Sequence, residues 1–228
     1  MQTAAQGRAS YNAAMLRRDS LALAALAVAA LAAPDARAQR TPIESDELAR
    51  GAYSTMEALL ERTVFSVDVV SLRVQVDPAT ARALRELAYG QAYSDARADL
   101  IARAAIGAEH ALVSLRFERH VSLGDFLEQA ERQLQLAASH GIIAQRDANL
   151  AARGLPNFFA RLKNGFADGD VLLYRVHPDT VRVVLRTRDG RVRLDGVIDE
   201  QGASRGVLGS YLTPGSPFRE QLVRSLFD

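Results

Sequence analysis

An arginine standing where an alternating run asks for a hydrophobic residue is the first hint of chemistry in this chain. Val113, Leu115, Phe117, Arg119 and Val121 share one side of an extended segment, which aims the Arg119 guanidinium at a core. A guanidinium buried alone costs on the order of several kcal/mol, so an inward Arg119 requires an anionic partner. On an earlier β-branched stretch, Ser66, Asp68, Val70, Leu72 and Val74 also share a face, and Asp68 is the same kind of intrusion. Two readings stand: an internal Arg119–Asp68 ion pair, or an arginine that holds the acidic group of a ligand.

Tyr174 shares a strand face with Leu172 and Val176, so its ring points inward and its hydroxyl needs a partner, either a backbone carbonyl or a guest molecule. Phe126 and Gln133 are seven residues apart, which returns them to nearly one helical face about 10.5 Å apart along the axis. Either Phe126 is core and Gln133 the edge of the stripe, or the two line an apolar ligand cleft in which a single amide orients the guest. Arg182, Arg186, Arg188, Arg191 and Arg193 surround Asp189-Gly190. With those two residues as the turn, Arg188 faces Arg191 and Arg186 faces Arg193. Like charges opposite one another are unfavourable, so that side is solvated, covered by acids, or met by an anionic envelope surface. His110, His120, His140 and His177 lack H-x-x-x-H spacing, and there is no P-loop, G-x-S-x-G or G-x-G-x-x-G. Metal, nucleotide and serine-hydrolase chemistry are disfavoured, and no cofactor is expected.

These side chains need elements to carry them. Thr41 to Leu60 reads as a polar lead and a short amphipathic helix, and Thr63 to Val76 as a long strand. Asp77-Pro78 caps a helix running to about Ala88, and Tyr93 to Ile106 is a second helix closed by Gly107. A strand over Ala111 to His120 passes directly, through a Ser122 cap, into a helix whose stripe is Phe126, Leu127, Ala130, Leu134 and Ala137. Ala144 to Arg153 and Asn157 to Lys163 are weaker helices. Strands follow at Val171 to Val176, Val181 to Thr187 and Val192 to Ile198, then helices at Ala203 to Tyr211 and, behind Ser216 and Pro217, Phe218 to Phe227. Grouped strands without strict βαβ alternation argue α+β and a largely antiparallel sheet.

The 228 residues are 48 % hydrophobic, ample for a core, and contain no cysteine, which excludes disulfides, a lipoprotein anchor and cysteine catalysis. Leu21 to Ala33 is a thirteen-residue apolar run behind Arg17-Arg18 and before Ala36-Arg37-Ala38. A spanning helix needs about 20 apolar residues. The run therefore reads as a removable signal over residues 1–38, with Met15 an alternative start and residues 39–228 the mature, periplasmic domain. General secretion and twin-arginine export both remain open. Without residues 1–38 the chain loses Arg8, Arg17, Arg18 and Arg37 against Asp19 and Asp35, so net charge gives no support to nucleic-acid binding. Lys163 is the only lysine, so arginine here reflects base composition as much as chosen chemistry.

Four segments, FSVDVVSLRV at 65–74, RFERHVSLGDFLEQ at 116–129, FADGDVLLYRVHPDTVRVVL at 166–185 and GVLGSYLTPGSPFREQLVRSLF at 206–227, together resemble the bacterial branch of the chalcone isomerase-like family. The resemblance implies an open-faced β-sandwich, a long antiparallel sheet with helices on one face and a ligand cleft between them. Plant members either cyclise chalcones without a cofactor or bind fatty acids. Aligned through VSLGDFLEQAERQL, the family's cleft tyrosine and asparagine fall at Phe126 and Gln133, its strand threonine at Asp68, and its arginine near Arg62. The phenol is absent from the helix, and Tyr174 is a candidate replacement.

Three functions follow. The first is a module binding a hydrophobic, carboxylated small molecule such as a fatty acid, through apolar burial and one arginine. The second is a cofactor-independent isomerase, an intramolecular lyase of the chalcone type, which stabilises a developing enolate in a dry cleft. The third is an envelope-interaction protein using the arginine hairpin. The absent helix tyrosine favours binding over catalysis.

Overall fold

Local signals set half of the helix starts among the described residues. In the computed structural model, which describes residues 54–59 and 70–227, Asp77 caps α1 (Pro78–Ala88) by accepting from Thr80 N at 2.9 Å. Ser94 caps α2 (Asp95–Ile106), and Ser122 caps α3 (Leu123–Ser139). Each oxygen satisfies one of the orphan N–H groups of a first turn. α4 (Gln145–Phe158) unites what the sequence splits into two helices, because Gly154 and Pro156 are accommodated inside it. α5 (Ala203–Leu212) and α6 (Arg219–Arg224) complete the helices.

Six strands form one antiparallel sheet in chain order: β1 (Ser54–Leu59), β2 (Val70–Val76), β3 (Ala111–Phe117), β4 (Val171–Val176), β5 (Val181–Arg186) and β6 (Val192–Ile198). The helix expected up to Leu60 is over 54–59 a strand, which pairs antiparallel with β2 from Ser54 opposite Val76 to Leu59 opposite Ser71. The backbone partner offered by β2 outweighs a weak helical pattern. The α1–α2 excursion between β2 and β3, and the α3–α4 excursion between β3 and β4, each go out and come back, which is why the flanking strands run antiparallel.

One face of the sheet builds the core. Leu72, Val74, Val113, Leu115, Leu172 and Val183 are buried there against Leu84, Ile101, Phe126, Leu208 and Leu222 of the helices. α5 lies close on the end of α3, where a Cβ on Gly209 would come 3.4 Å from Ala137 and 2.8 Å from Ile142 just beyond the helix. The α+β open-faced sandwich expected from the sequence is the fold observed, with helices on one face of the long sheet.

Two local expectations are corrected. β3 ends at Phe117, not His120: Phe117 N donates to Asp170 O and Phe117 O accepts from Gly169 N, after which the chain bends. Val121 rejoins through an isolated bridge to Phe166. The alternation that aimed Arg119 inward is broken, and Arg119 is exposed. The β5–β6 turn has three residues rather than two. Thr187 N donates to Arg191 O and Gly190 N to Thr187 O, while Gly190 takes φ +83°. That is a three-residue loop with glycine in the left-handed position, held by Thr187 Oγ1 accepting from Arg191 N at 3.0 Å. A register shift follows, so that Arg186 faces Val192 and Leu185 faces Leu194. Arg193 falls between the two pairs, and the expected Arg186–Arg193 opposition does not occur.

Candidate functional site

The interior between sheet and helices has an aromatic end and a polar end. At the aromatic end, Phe117 from β3 stacks on Phe166 at 4.3 Å, and Phe126 from α3 sits 4.6 Å from Phe166 and 5.2 Å from Phe159 between ring centroids. All four are buried. Phe126 is therefore core, as its place on the helical stripe suggested. Gly165 delivers Phe166 into this cluster with φ +66°, and a Cβ there would lie 2.2 Å from Val121 O. The cluster is fastened from outside by Asp170, whose Oδ2 accepts from Ala167 N at 2.9 Å and from Arg193 Nη1 at 2.8 Å.

The polar end lies at Tyr174, near the middle of β4 between Val113 and Val183 on its neighbours. Its ring is buried, as expected. Its hydroxyl pairs with the hydroxyl of Tyr211 on α5. Burial pushes both phenols up. For Tyr174 the neighbouring Tyr211 adds to the rise, through its charge when ionised and through the hydrogen bond. For Tyr211 the same hydrogen bond works downward, against burial. Both groups stay neutral at physiological pH, and since one O–H suffices to join them, the pair keeps one proton for another acceptor.

Gln133 lies on the same α3 stripe as Phe126 and Ala137. The residue is half-buried, yet its Oε1 is buried and has no hydrogen-bond partner among the described residues. Thr213, fully buried at the C-cap of α5, has the same deficit at Oγ1. An unsatisfied buried acceptor costs about 1–3 kcal/mol, so such atoms mark places where a donor is wanted.

Of the six residues singled out from the sequence, Phe126 and Tyr174 belong to this interior, and Gln133 is half-buried on the α3 stripe that carries Phe126. Arg119 is outside the interior, exposed beyond the end of β3, while Arg62 and Asp68, and with them the Arg119–Asp68 pair, lie outside the described residues. Tyr211 was missed. Its signal was present in Ser204, Leu208, Tyr211 and Leu212, a buried stripe on α5. The arginine hairpin is largely answered by acids: Arg182 grips Asp195 through two bonds of 2.9 and 2.8 Å, Arg193 reaches Asp170, and Arg191 meets Asp189 at 3.0 Å. The Arg188 stem lies over Gly169. Among the described residues no group of three or more metal-ligating side chains gathers, and no helix is long and apolar enough to cross a membrane.

No family model and no curated protein sequence matches this chain. Among solved structures, a fatty-acid binding protein of Arabidopsis thaliana superposes with a TM-score of 0.50, covering 78% of this chain and 92% of that one at 10% sequence identity. The likeness is one of fold. It agrees with the sandwich implied by the family resemblance, and at that identity it assigns no residue a role.

Proposed function

We propose that this chain is a binding module for a hydrophobic small molecule with a carboxyl head group, of fatty-acid type, held between the sheet and its helices. The observation that carries the reading is the Tyr174–Tyr211 hydroxyl pair inside an otherwise apolar layer. Neutral phenols donate hydrogen bonds without the desolvation cost of a buried guanidinium, so the head-group anchor moves from the arginine expected in the sequence to the remaining O–H of this pair. The acceptor at Gln133 Oε1 suits the O–H of a protonated carboxyl. Ten buried methylenes contribute about 8 kcal/mol before ordering costs, so the tail supplies affinity and the polar end supplies orientation. The name of the Arabidopsis neighbour is in keeping with this reading. The apolar run at Leu21 to Ala33 and the Ala36-Arg37-Ala38 site support export of residues 39–228 to the periplasm.

Organic extraction of the purified protein followed by mass spectrometry tests the proposal. An amphiphilic acid recovered near one per chain, and loss of a fluorescent fatty acid's binding in Tyr211→Phe, are the expected results. Failure of the intact protein to retain or bind any such acid overturns it. The same tyrosine pair favours a second reading, an isomerase of chalcone type, because two phenolic donors in a dry layer can stabilise an enolate oxygen. Loss of chalcone absorbance, abolished by Tyr174→Phe, is its signature.

A further inference from the structure

His110 and His177 are 67 residues apart in sequence and adjacent in space. The antiparallel pairing that sets Ala111 opposite Val176 carries one step further and brings the two imidazoles edge to face, at 78° with centroids 5.2 Å apart. Their Nδ1 atoms are 3.2 Å from each other. Both main chains are pinned. His110 O accepts from Asp77 N and His110 N donates to Asp77 Oδ2, while His177 N donates to Thr180 O and His177 O accepts from Ser204 Oγ. Both side chains are half-buried and thus reachable from solvent.

We propose that His110 and His177 form a two-nitrogen chelate for a first-row divalent ion, Cu2+ in preference to Zn2+. Nitrogen ligands at about 2.0–2.1 Å from an ion lie about 2.9 Å apart in cis square-planar geometry and about 3.3–3.4 Å apart in tetrahedral geometry. The observed Nδ1 separation falls between the two, so the spacing of the pair fits an ion. A backbone held at both histidines means that the loss of freedom on binding is already met by folding. Binding requires the neutral form of both imidazoles. Imidazole suits copper and zinc alike, and the order of divalent affinities ranks copper above zinc. Two ligands leave the remaining positions to water or to an exogenous ligand, so the site is open rather than structural.

The test is copper titration of the full-length chain, followed by electron paramagnetic resonance and by thermal unfolding. Expected are one saturable Cu2+ per chain, hyperfine coupling to two nitrogens, a raised Tm, and displacement by Zn2+ only at tenfold or greater excess. The double variant H110Q/H177Q loses the coupling and the Tm shift, whereas H120Q/H140Q retains both. The nitrogen count is read on the unaltered chain, so it does not depend on how the variants fold. Copper binding that is unsaturable, shows fewer than two coupled nitrogens, or survives unchanged in H110Q/H177Q overturns the assignment.

Discussion

Replacing Asp170 by alanine removes the fastening of the aromatic end in one step. The Asp170 carboxylate is 2% exposed and takes two hydrogen bonds through Oδ2, from Ala167 N at 2.9 Å and from Arg193 Nη1 at 2.8 Å. Deleting one partner of a fully buried ion pair costs about 3–5 kcal/mol. Arg193 is 28% exposed and keeps a 3.2 Å bond to Gly165 O, so water recovers part of its solvation and its share falls to about 1–2 kcal/mol. The stranded Ala167 N–H adds about 1–2 kcal/mol. The expected loss is therefore about 3 kcal/mol, or a fall in Tm of about 6–12 °C for a chain of this length. Asp170→Asn keeps an acceptor for Ala167 and gives up the charge, so it loses about half as much. Urea unfolding of D170A, R193A and the double variant measures the coupling directly, expected at about 1 kcal/mol or more. A D170A loss below about 1 kcal/mol, with additive single effects, would refute the idea that this pair holds the Phe166 loop against the sheet.

Gly165→Ala meets Val121 O, a backbone atom, at φ +66°, and should lose at least 3 kcal/mol or so; Gly154→Ala on α4 meets nothing within 4 Å and should gain up to about 1 kcal/mol, both read from urea midpoints. Asp77→Ala should cost about 1 kcal/mol at pH 7. Burial pushes this carboxyl up, but bonds from Thr80 N, Thr80 Oγ1 and His110 N together hold it below its ordinary value, so its contribution is present above about pH 4 and lost as pH falls through the folded value. Equal D77A losses at pH 7 and pH 3 would contradict that origin. For Tyr174 and Tyr211 the folded pKa is raised, so stability is unaffected below about pH 10 and declines above it as the unfolded chain sheds protons first. Absorbance near 295 nm should show two phenols ionising only with unfolding; completion of all six before the circular dichroism changes would argue against the buried pair.

What the sequence reveals here is what neighbouring residues decide. Asp77-Pro78, Ser94 and Ser122 cap helices that begin just after them, because the bonds involved span three residues. The inward faces of β3, β4 and β5 follow from alternation alone. The failures share a different cause. β3 stops at Phe117 because Gly169 and Asp170, about fifty residues later, take its last hydrogen bonds, and Arg119 then leaves the sheet. β1 needs β2 as a partner before its strand character shows. The three-residue turn is chosen by the Thr187 side chain, which a two-residue Asp-Gly pattern does not weigh. Tyr174 was visible as a buried phenol, but its partner Tyr211 sits on a helix whose docking is settled by α3 and the sheet. The two histidines meet only through the pairing of β3 with β4.

The strand order β1-β2-β3-β4-β5-β6 is also the order of translation. Each new strand therefore lays down beside the one made just before it, and no segment has to wedge between two that are already joined. Loss of material from the carboxyl-terminal side of the sheet trims a margin and leaves the inner strands in register. The strands of such a sheet can pair as they emerge, while its inner face waits for α5 and α6, the last elements made, to be covered.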